Sequence, residues 1–114
     1  MNQLGKFNGV LLVSDFDDTL YGADLRVPPV NVEAIEYFTR NGGTFTVATG
    51  RAHPTFAPHA RLVNINAPVI LSNGSALYDF QAKRMVYETF LPQRVREDIQ
   101  QVAQAIPSIG FEAY

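Results

Sequence analysis

The apolar residues of this chain fall into short unbroken runs and longer periodic stripes. Three of the runs are rich in β-branched, aliphatic or aromatic side chains and cover residues 9–14, 44–48 and 67–71, and the first of them lacks any polar alternation. Such runs are typical of strands buried on both faces of a parallel sheet. We therefore expect three parallel strands, each ending in a polar segment.

A helical stripe separates the first two predicted strands. Val32, Ile35 and Phe38 recur at helical spacing. Asn31 is the predicted N-cap, and the Asn-Gly-Gly sequence at 41–43 supplies a left-handed end. A strand, a helix and a strand in this order predict a βαβ unit with a right-handed crossover.

Less regular patterns fill the rest of the chain. Residues 54–63 favour a helix that Pro58 distorts. Two further runs, 76–80 and 85–89, flank a polar turn and predict a β-hairpin. After Pro92, a periodic apolar face predicts a helix that Pro107 ends, and residues 109–114 resemble the start of another strand. The predicted fold class is α/β, a Rossmann-like parallel sheet followed by a hairpin.

Composition narrows the classes of protein that this chain can represent. With 114 residues, 46% hydrophobic and 18% charged, it fits a single globular core. A net charge of -2 and scattered basic residues argue against nucleic-acid binding. Cysteine is absent, which excludes disulfides and thiolate metal sites. The apolar run at 10–13 is too short for a membrane span. We expect a cytoplasmic protein with no membrane partner.

Two carboxylates stand where the first predicted strand ends. Asp15 and Asp17 can converge there on one hard cation, and Mg²⁺ suits oxygen ligands. Asp15 is the candidate nucleophile, because a bound cation would keep it ionised and orient a phosphate for in-line attack. Asp17 is the candidate general acid and base. An Asp-x-Asp sequence alone is more often a solvated turn, so the reading depends on its position at a buried strand end.

The second and third predicted strands also end in polar residues. Thr49 and the Gly50 backbone N–H are candidates for binding phosphoryl oxygens. Arg51 has two open interpretations, a phosphate or substrate contact and a structural ion pair. Asn73 is by default a turn residue that tolerates positive φ, and its place at a third strand end makes it a secondary site candidate. His53 and His59 lack metal-ligand spacing, and we expect surface or capping roles for them.

These motifs resemble one enzyme family. Residues 12–20, Leu-Val-Ser-Asp-Phe-Asp-Asp-Thr-Leu, are similar to the first motif of the haloacid dehalogenase superfamily, and residues 47–51, Val-Ala-Thr-Gly-Arg, resemble its second. Residues 69–75, Val-Ile-Leu-Ser-Asn-Gly-Ser, are similar to the corresponding segment of its Cof-type subfamily of sugar-phosphate phosphatases. The resemblance implies the N-terminal part of such a core at 1–90 and the start of an α/β cap at 91–114.

The resemblance also implies roles for the site residues. It makes Asp15 the nucleophile and Asp17 the acid/base, with Mg²⁺ held by the Asp15 carboxylate and the Asp17 backbone carbonyl. It places phosphate contacts at the Phe16 N–H, Thr49 and Gly50. Asp18 departs from the pattern, since the subfamily usually has glycine there. The family's downstream lysine and acidic loop have no counterpart in these 114 residues, so we expect a truncated member.

Several functions remain in competition. The first is a phosphatase acting on small phosphorylated metabolites, with sugar phosphates the expected class. The second is a catalytically incomplete module that binds phosphate or a partner. A phosphoacceptor receiver domain would place its nucleophile after the third strand, where this chain has Ser72 and Asn73, and a purely structural protein leaves the polar strand ends unexplained. In the family's sheet order the first strand is central, so here it would have an unpaired edge that favours self-association.

Overall fold

The computed structural model describes residues 5–112. The strands are β1 (Leu11–Asp15), β2 (Thr44–Ala48), β3 (Val69–Leu71), β4 (Ala76–Asp79) and β5 (Arg84–Glu88). The helices are α1 (Pro29–Arg40), the single turn α2 (His53–Phe56) and α3 (Val95–Ala105). Short 3₁₀ turns lie at Ala57–His59 and Ser72–Gly74. None of the helices described at 5–112 is long and apolar enough to cross a bilayer.

The five strands form one mixed sheet in the order β1-β2-β3-β4-β5. The first two pair in parallel, with Asp15 opposite Ala48, and β3 continues the parallel part. The other two strands form an antiparallel hairpin that adds to β3. The predicted α/β class, βαβ unit and hairpin are therefore confirmed.

β1 lies at the edge of the sheet, and the expectation that it is buried on both faces is wrong. Leu11 is 61% exposed, and Leu12 and Val13 are 47% and 40% exposed. The cause is its position, because β2 is its one hydrogen-bonded neighbour and the described chain provides nothing on its other side. The sequence pattern correctly indicated an apolar strand, and the unpaired edge is as expected.

Helix α1 begins earlier than the sequence suggests. It starts at Pro29 and is preceded by Pro28, and no side chain caps it, so the predicted N-cap at Asn31 is wrong. Proline at the first helical position is favourable because its φ is already helical and its missing N–H has no partner there in any case. The helix ends at Arg40, where the Asn41 N–H donates to Tyr37, as the glycines that follow predicted.

Two other predictions need correction. The helix expected at 54–63 is reduced to one turn and a 3₁₀ turn, because Pro58 has no N–H to continue it. Residues 109–112 form no strand, and residues 113–114 lie outside the described range. The predicted helix after Pro92 is present as α3.

The core packs between the sheet and its crossover segments. Its largest fully buried side chains are Phe16, Phe45, Phe56, Leu71, Val47 and Val69. Phe16 occupies the centre, with its ring stacked 4.8 Å from Tyr21 and edge-on at 5.2 Å to Phe56. The residue that follows Asp15 is therefore one of the main anchors of the fold.

Gly43, between α1 and β2, provides a test of this packing. A Cβ built at this position would lie 2.4 Å from Cε1 of Phe38. Gly43→Ala is expected to lower the free energy of unfolding by about 1–3 kcal/mol, because the ring must move within a packed region. Gly110→Ala is the matched control, since nothing lies within 4 Å of its added Cβ. Urea denaturation that gives equal stabilities for the two variants would contradict this packing.

Candidate active site

Asp15 lies at the carboxyl end of β1, directly beside the end of β2. Its Cα partner in the parallel register is Ala48, so the two strand ends lie one strand spacing apart, about 4.8 Å, and Thr49 and Gly50 follow Ala48 along the chain. The Asp15 side chain is exposed, and its Oδ2 accepts a hydrogen bond of 3.1 Å from the Thr19 hydroxyl. The carboxylate is thus held by its own loop and open to solvent.

The loop after Asp15 folds back on the Phe16 carbonyl. That oxygen accepts hydrogen bonds from the N–H groups of Leu20 and Tyr21 at 3.0 and 2.8 Å. Asp18 adopts φ 59°, and its N–H donates to the Tyr21 carbonyl at 2.9 Å. This left-handed conformation favours glycine and is tolerated by aspartate. The left-handed φ explains why glycine suits this position in the expected motif and why this chain can carry aspartate there.

A second part of the candidate site is formed by Thr49, Gly50 and Asn73. The Thr49 N–H donates to the Ile70 carbonyl at 2.9 Å, and the Asn73 N–H donates to the Thr49 carbonyl at 3.2 Å. A Cβ added at Gly50 would lie 3.0 Å from Oδ1 of Asn73. The structure therefore brings the ends of β2 and β3 together, and the absence of a side chain at Gly50 lets the amide of Asn73 approach closely.

Arg51 is paired with Asp17. Its Nε donates to Oδ2 at 2.9 Å and its Nη2 to Oδ1 at 2.7 Å, a bidentate arrangement. Its Nη1 donates to the Thr55 carbonyl at 3.1 Å, and the guanidinium lies over the rings of Phe16 and Tyr21 at 5.7 and 5.8 Å. Of the two interpretations of Arg51, the structure shows the ion pair.

This ion pair favours the ionised form of Asp17. Hydrogen bonding from Arg51 lowers the pKa of the Asp17 carboxyl below its ordinary value, although partial burial opposes the shift. The pKa of Arg51 is raised in turn, chiefly by the same hydrogen bonds. In this conformation Asp17 is an ionised acceptor. To act as a general acid, it must first separate from the guanidinium and take up a proton.

The pair predicts how stability depends on pH. Because the folded-state pKa of Asp17 lies below its ordinary 3.8, its stabilising contribution is present above that value and is lost as pH falls through the folded pKa. The side chains are 27% and 45% exposed, so we expect about 1 kcal/mol or less. Wild type should unfold at higher urea than Asp17→Asn at pH 6, and the difference should shrink below pH 4. A Glu33→Gln control should show no such trend, and a difference that grows towards low pH would contradict the assignment.

The oxygen ligands available at this site fit Mg²⁺. Residues 5–112 hold no cluster of three or more metal-ligating His, Asp or Glu side chains. Mg²⁺ does not need one, because it is usually bound by one or two carboxylates while water and substrate phosphate complete its shell. The exposed Asp15 carboxylate and the Asp17 backbone carbonyl are hard donors of the right kind. The Asp17 side chain is engaged by Arg51.

His59 is a neighbour of the site that sequence reasoning did not identify. Its ring lies edge-on to Phe16 and Tyr21 at 5.7 and 5.1 Å, and its charge contributes to the lowered pKa of Asp17. Its Nδ1 is buried and has no hydrogen-bond partner among the described residues. No sequence signal marks this role, because the contact depends on how the segment after α2 returns to the Asp15–Tyr21 loop.

The parallel part of the sheet, with polar residues at the ends of three strands, defines an α/β protein whose candidate site lies at the carboxyl edge of these strands. The chain belongs to the haloacid dehalogenase-like hydrolase family, whose pattern matches residues 12–113. The predicted family is thereby confirmed.

Two curated relatives illustrate this membership. A 5-amino-6-(5-phospho-D-ribitylamino)uracil phosphatase of Bacillus subtilis is 31% identical over 100 residues, which cover 88% of this chain and 34% of the relative. The pyridoxal phosphate phosphatase of Escherichia coli is 28% identical over 82 residues, 72% of this chain and 30% of the relative. The chain thus spans about a third of the length of these relatives.

Solved structures give the same fold. A haloacid dehalogenase-like hydrolase from Bacteroides thetaiotaomicron superposes with a TM-score of 0.71 at 25% identity, covering 88% of this chain and 38% of that one. A second protein from this organism, studied as a phosphatase of the same superfamily, gives 0.75 at 19% identity over 94% of this chain and 39% of that one.

Proposed function

We propose that this chain carries the nucleophilic half of a Mg²⁺-dependent phosphatase that forms an aspartyl-phosphate at Asp15. One observation carries the proposal: an exposed, loop-anchored carboxylate lies at a parallel strand end beside Thr49 and Gly50. Family membership and the phosphatase names of the relatives support it.

The proposed reaction has two steps. A carboxylate oxygen of Asp15 attacks phosphorus, the bond from phosphorus to the alcohol oxygen breaks, and that oxygen takes a proton from Asp17. Water then attacks the aspartyl-phosphate and loses a proton to Asp17, which frees Asp15 and inorganic phosphate. The Phe16 N–H, Thr49 and the Gly50 N–H are proposed to bind the phosphoryl oxygens.

The cation and Arg51 have separate parts. Mg²⁺, held by the Asp15 carboxylate and the Asp17 carbonyl, would neutralise charge between the nucleophile and an incoming phosphate dianion. Arg51 stabilises the ionised form of Asp17 before substrate arrives. An incoming phosphate competes with Asp17 for the guanidinium, and that competition supplies a route by which Asp17 is released for proton transfer.

The substrate class is small phosphorylated metabolites, with sugar phosphates as the expected group. The names of the two curated relatives give pyridoxal phosphate and 5-amino-6-(5-phospho-D-ribitylamino)uracil as their substrates, which supports the broader class. The proposal also includes a cytoplasmic location. It divides the chain into a core at 1–90 and a cap segment at 91–114. It further includes self-association through the β1 edge.

A phosphate-binding module without turnover is the second candidate. The observation that favours it is the bidentate ion pair between Arg51 and Asp17, which occupies the candidate acid/base. The experiment that separates the candidates is turnover of an aryl phosphate by the full chain with and without Mg²⁺, alongside Asp15→Asn. Mg²⁺-dependent release of phosphate that requires Asp15 supports the enzyme, whereas phosphate binding without release supports the module.

A further inference from the structure

The chain contains three Asn-Gly pairs, at 8–9, 41–42 and 73–74. Such a pair can lose ammonia without an enzyme, because the backbone nitrogen of the glycine attacks the side-chain amide carbon of the asparagine. Glycine has no side chain to hinder this attack. The three pairs lie in different surroundings, and these surroundings determine how readily each pair reacts.

Asn41 is protected by hydrogen bonds. Its Nδ2 donates to the Tyr37 carbonyl at 2.8 Å, and its backbone N–H donates to the same carbonyl at 3.1 Å. The Gly42 N–H, which loses its proton in the reaction, donates to the Thr39 carbonyl at 3.2 Å. Because these bonds must break before the glycine nitrogen reaches the amide carbon, we expect this pair to react slowly.

The side chain of Asn73 lacks this protection. Asn73 and Gly74 are exposed, and the Asn73 amide group forms no hydrogen bond with the residues described at 5–112. A Cβ built at Gly74 would have nothing within 4 Å, so the peptide between the two residues has room to rotate. Asn73 has φ 55° and Ser72 has φ 48°, a conformation that is costly for residues with a Cβ. Opening of this turn therefore relieves strain.

Asn8 belongs to an exposed pair that lies far from the candidate site. Its side chain also forms no hydrogen bond within the part of the chain that the structure describes. It lies at the amino end of the parallel strands, since a Cβ built at Gly42, just before β2, would be 3.3 Å from the Asn8 Cα. Asp15 lies at the opposite, carboxyl end of β1. The pair at 8–9 therefore reports on the same chemistry without affecting the site.

Asn73 lies against the backbone that is proposed to bind phosphate. Its N–H donates to the Thr49 carbonyl at 3.2 Å. A Cβ added at Gly50 would lie 3.0 Å from the Asn73 Oδ1 and 3.6 Å from its Nδ2. Conversion of the amide to an acid would place a negative charge beside Gly50. A carboxylate there would repel a phosphate dianion, because like charges brought together at a binding site oppose association.

We propose that Asn73 is a site of spontaneous modification, and that its conversion to aspartate or isoaspartate weakens phosphate binding. The Gly74 nitrogen bonds to Cγ of Asn73, the bond from Cγ to Nδ2 breaks, and ammonia leaves with the proton of the Gly74 nitrogen. Water then opens the succinimide. Attack at Cγ gives aspartate, and attack at the main-chain carbonyl carbon gives isoaspartate, whose backbone runs through the side chain. The effect on binding rests on the proposed function, which places phosphate at Thr49 and Gly50.

Mass spectrometry of the full chain tests the chemistry. The protein is incubated at mildly alkaline pH, and conversion of amide to acid at each asparagine is followed in digested samples over time. Asn8 and Asn73 should convert at least about tenfold faster than Asn41, the factor expected for the additional hydrogen bonds that protect Asn41. Equal rates at Asn41 and Asn73, or no conversion of Asn73 while Asn8 converts, would overturn the inference.

Phosphate binding tests the consequence. Inorganic phosphate is titrated into fresh wild type, Asn73→Asp and Asn8→Asp and followed by backbone-amide NMR. Asn73→Asp should bind phosphate about tenfold or more weakly than wild type, since aspartate also tolerates the left-handed conformation and the main change is the added charge. Asn8→Asp is the matched control, because it adds the same charge at the other end of the strands, and it should bind like wild type.

The outcomes separate this inference from the proposed function. Equal phosphate affinity of wild type and Asn73→Asp overturns the inference. Failure of fresh wild type to bind phosphate near Asp15 and Thr49 instead contradicts the proposed function. In that case the relative conversion rates of Asn41 and Asn73 still decide whether Asn73 is a modification site.

Discussion

Asp15→Asn is expected to abolish turnover of an aryl phosphate by the full chain in the presence of Mg²⁺. If wild type is active, the loss should be on the order of 10⁴-fold, because a neutral amide oxygen is a poor nucleophile and cannot form the covalent intermediate. The fold should be preserved. The Asp15 side chain accepts one hydrogen bond from Thr19, which an amide oxygen can also accept.

Asp18→Asn is the matched control for this measurement. It removes the same charge from the same loop, and asparagine tolerates the left-handed conformation of residue 18, where φ is 59°. Turnover should therefore remain close to that of wild type. Equal activity in Asp15→Asn and wild type would exclude the aspartyl-phosphate mechanism, and no activity in wild type would favour the binding module.

Phe16→Ala should cause the largest loss of stability. Its side chain is 0% exposed and contacts the rings of Tyr21, Phe56 and His59. Truncation of a buried phenylalanine costs about 3–5 kcal/mol, which is a large fraction of the roughly 5–15 kcal/mol that stabilises a typical domain. Urea denaturation followed by circular dichroism should show an early transition or no cooperative transition.

Val30→Ala is the surface comparison for Phe16→Ala. Val30 is 68% exposed on α1, and its truncation should change the free energy of unfolding by about 0.5 kcal/mol or less. A similar small change for Phe16→Ala would mean that the ring is not the anchor described here. The loop that holds Asp15 and Asp17 would then need another support.

The sequence was sufficient to predict that three polar segments lie at one edge of the sheet. Asp15, Thr49 and Asn73 each follow an apolar run, and parallel strands bring such ends to one edge of a sheet. That inference needs only strand identity and direction, both of which are local properties. The hairpin was predictable for the same reason, because a polar turn separates two adjacent runs.

Features that depend on distant packing were not predictable. The ion pair joins Arg51 to Asp17, 34 positions away, and nothing in either local sequence favours it over a substrate contact. The position of His59 depends on a segment that a proline keeps from becoming a full helix. The start of α1 was misplaced because Asn31 has the composition of an N-cap, whereas two prolines determine where the helical dihedral angles begin.

The edge position of β1 links the site to the stability of the sheet. β1 is held by hydrogen bonds on one side, to β2, and Asp15 and Thr49 lie at the ends of these two strands. A phosphate ion that contacts both strand ends would link β1 to β2. If phosphate binds only the folded form, it would also stabilise the chain by mass action. Phosphate binding would then favour the chain in which β1 is paired with β2, and fraying of β1 would favour release of phosphate.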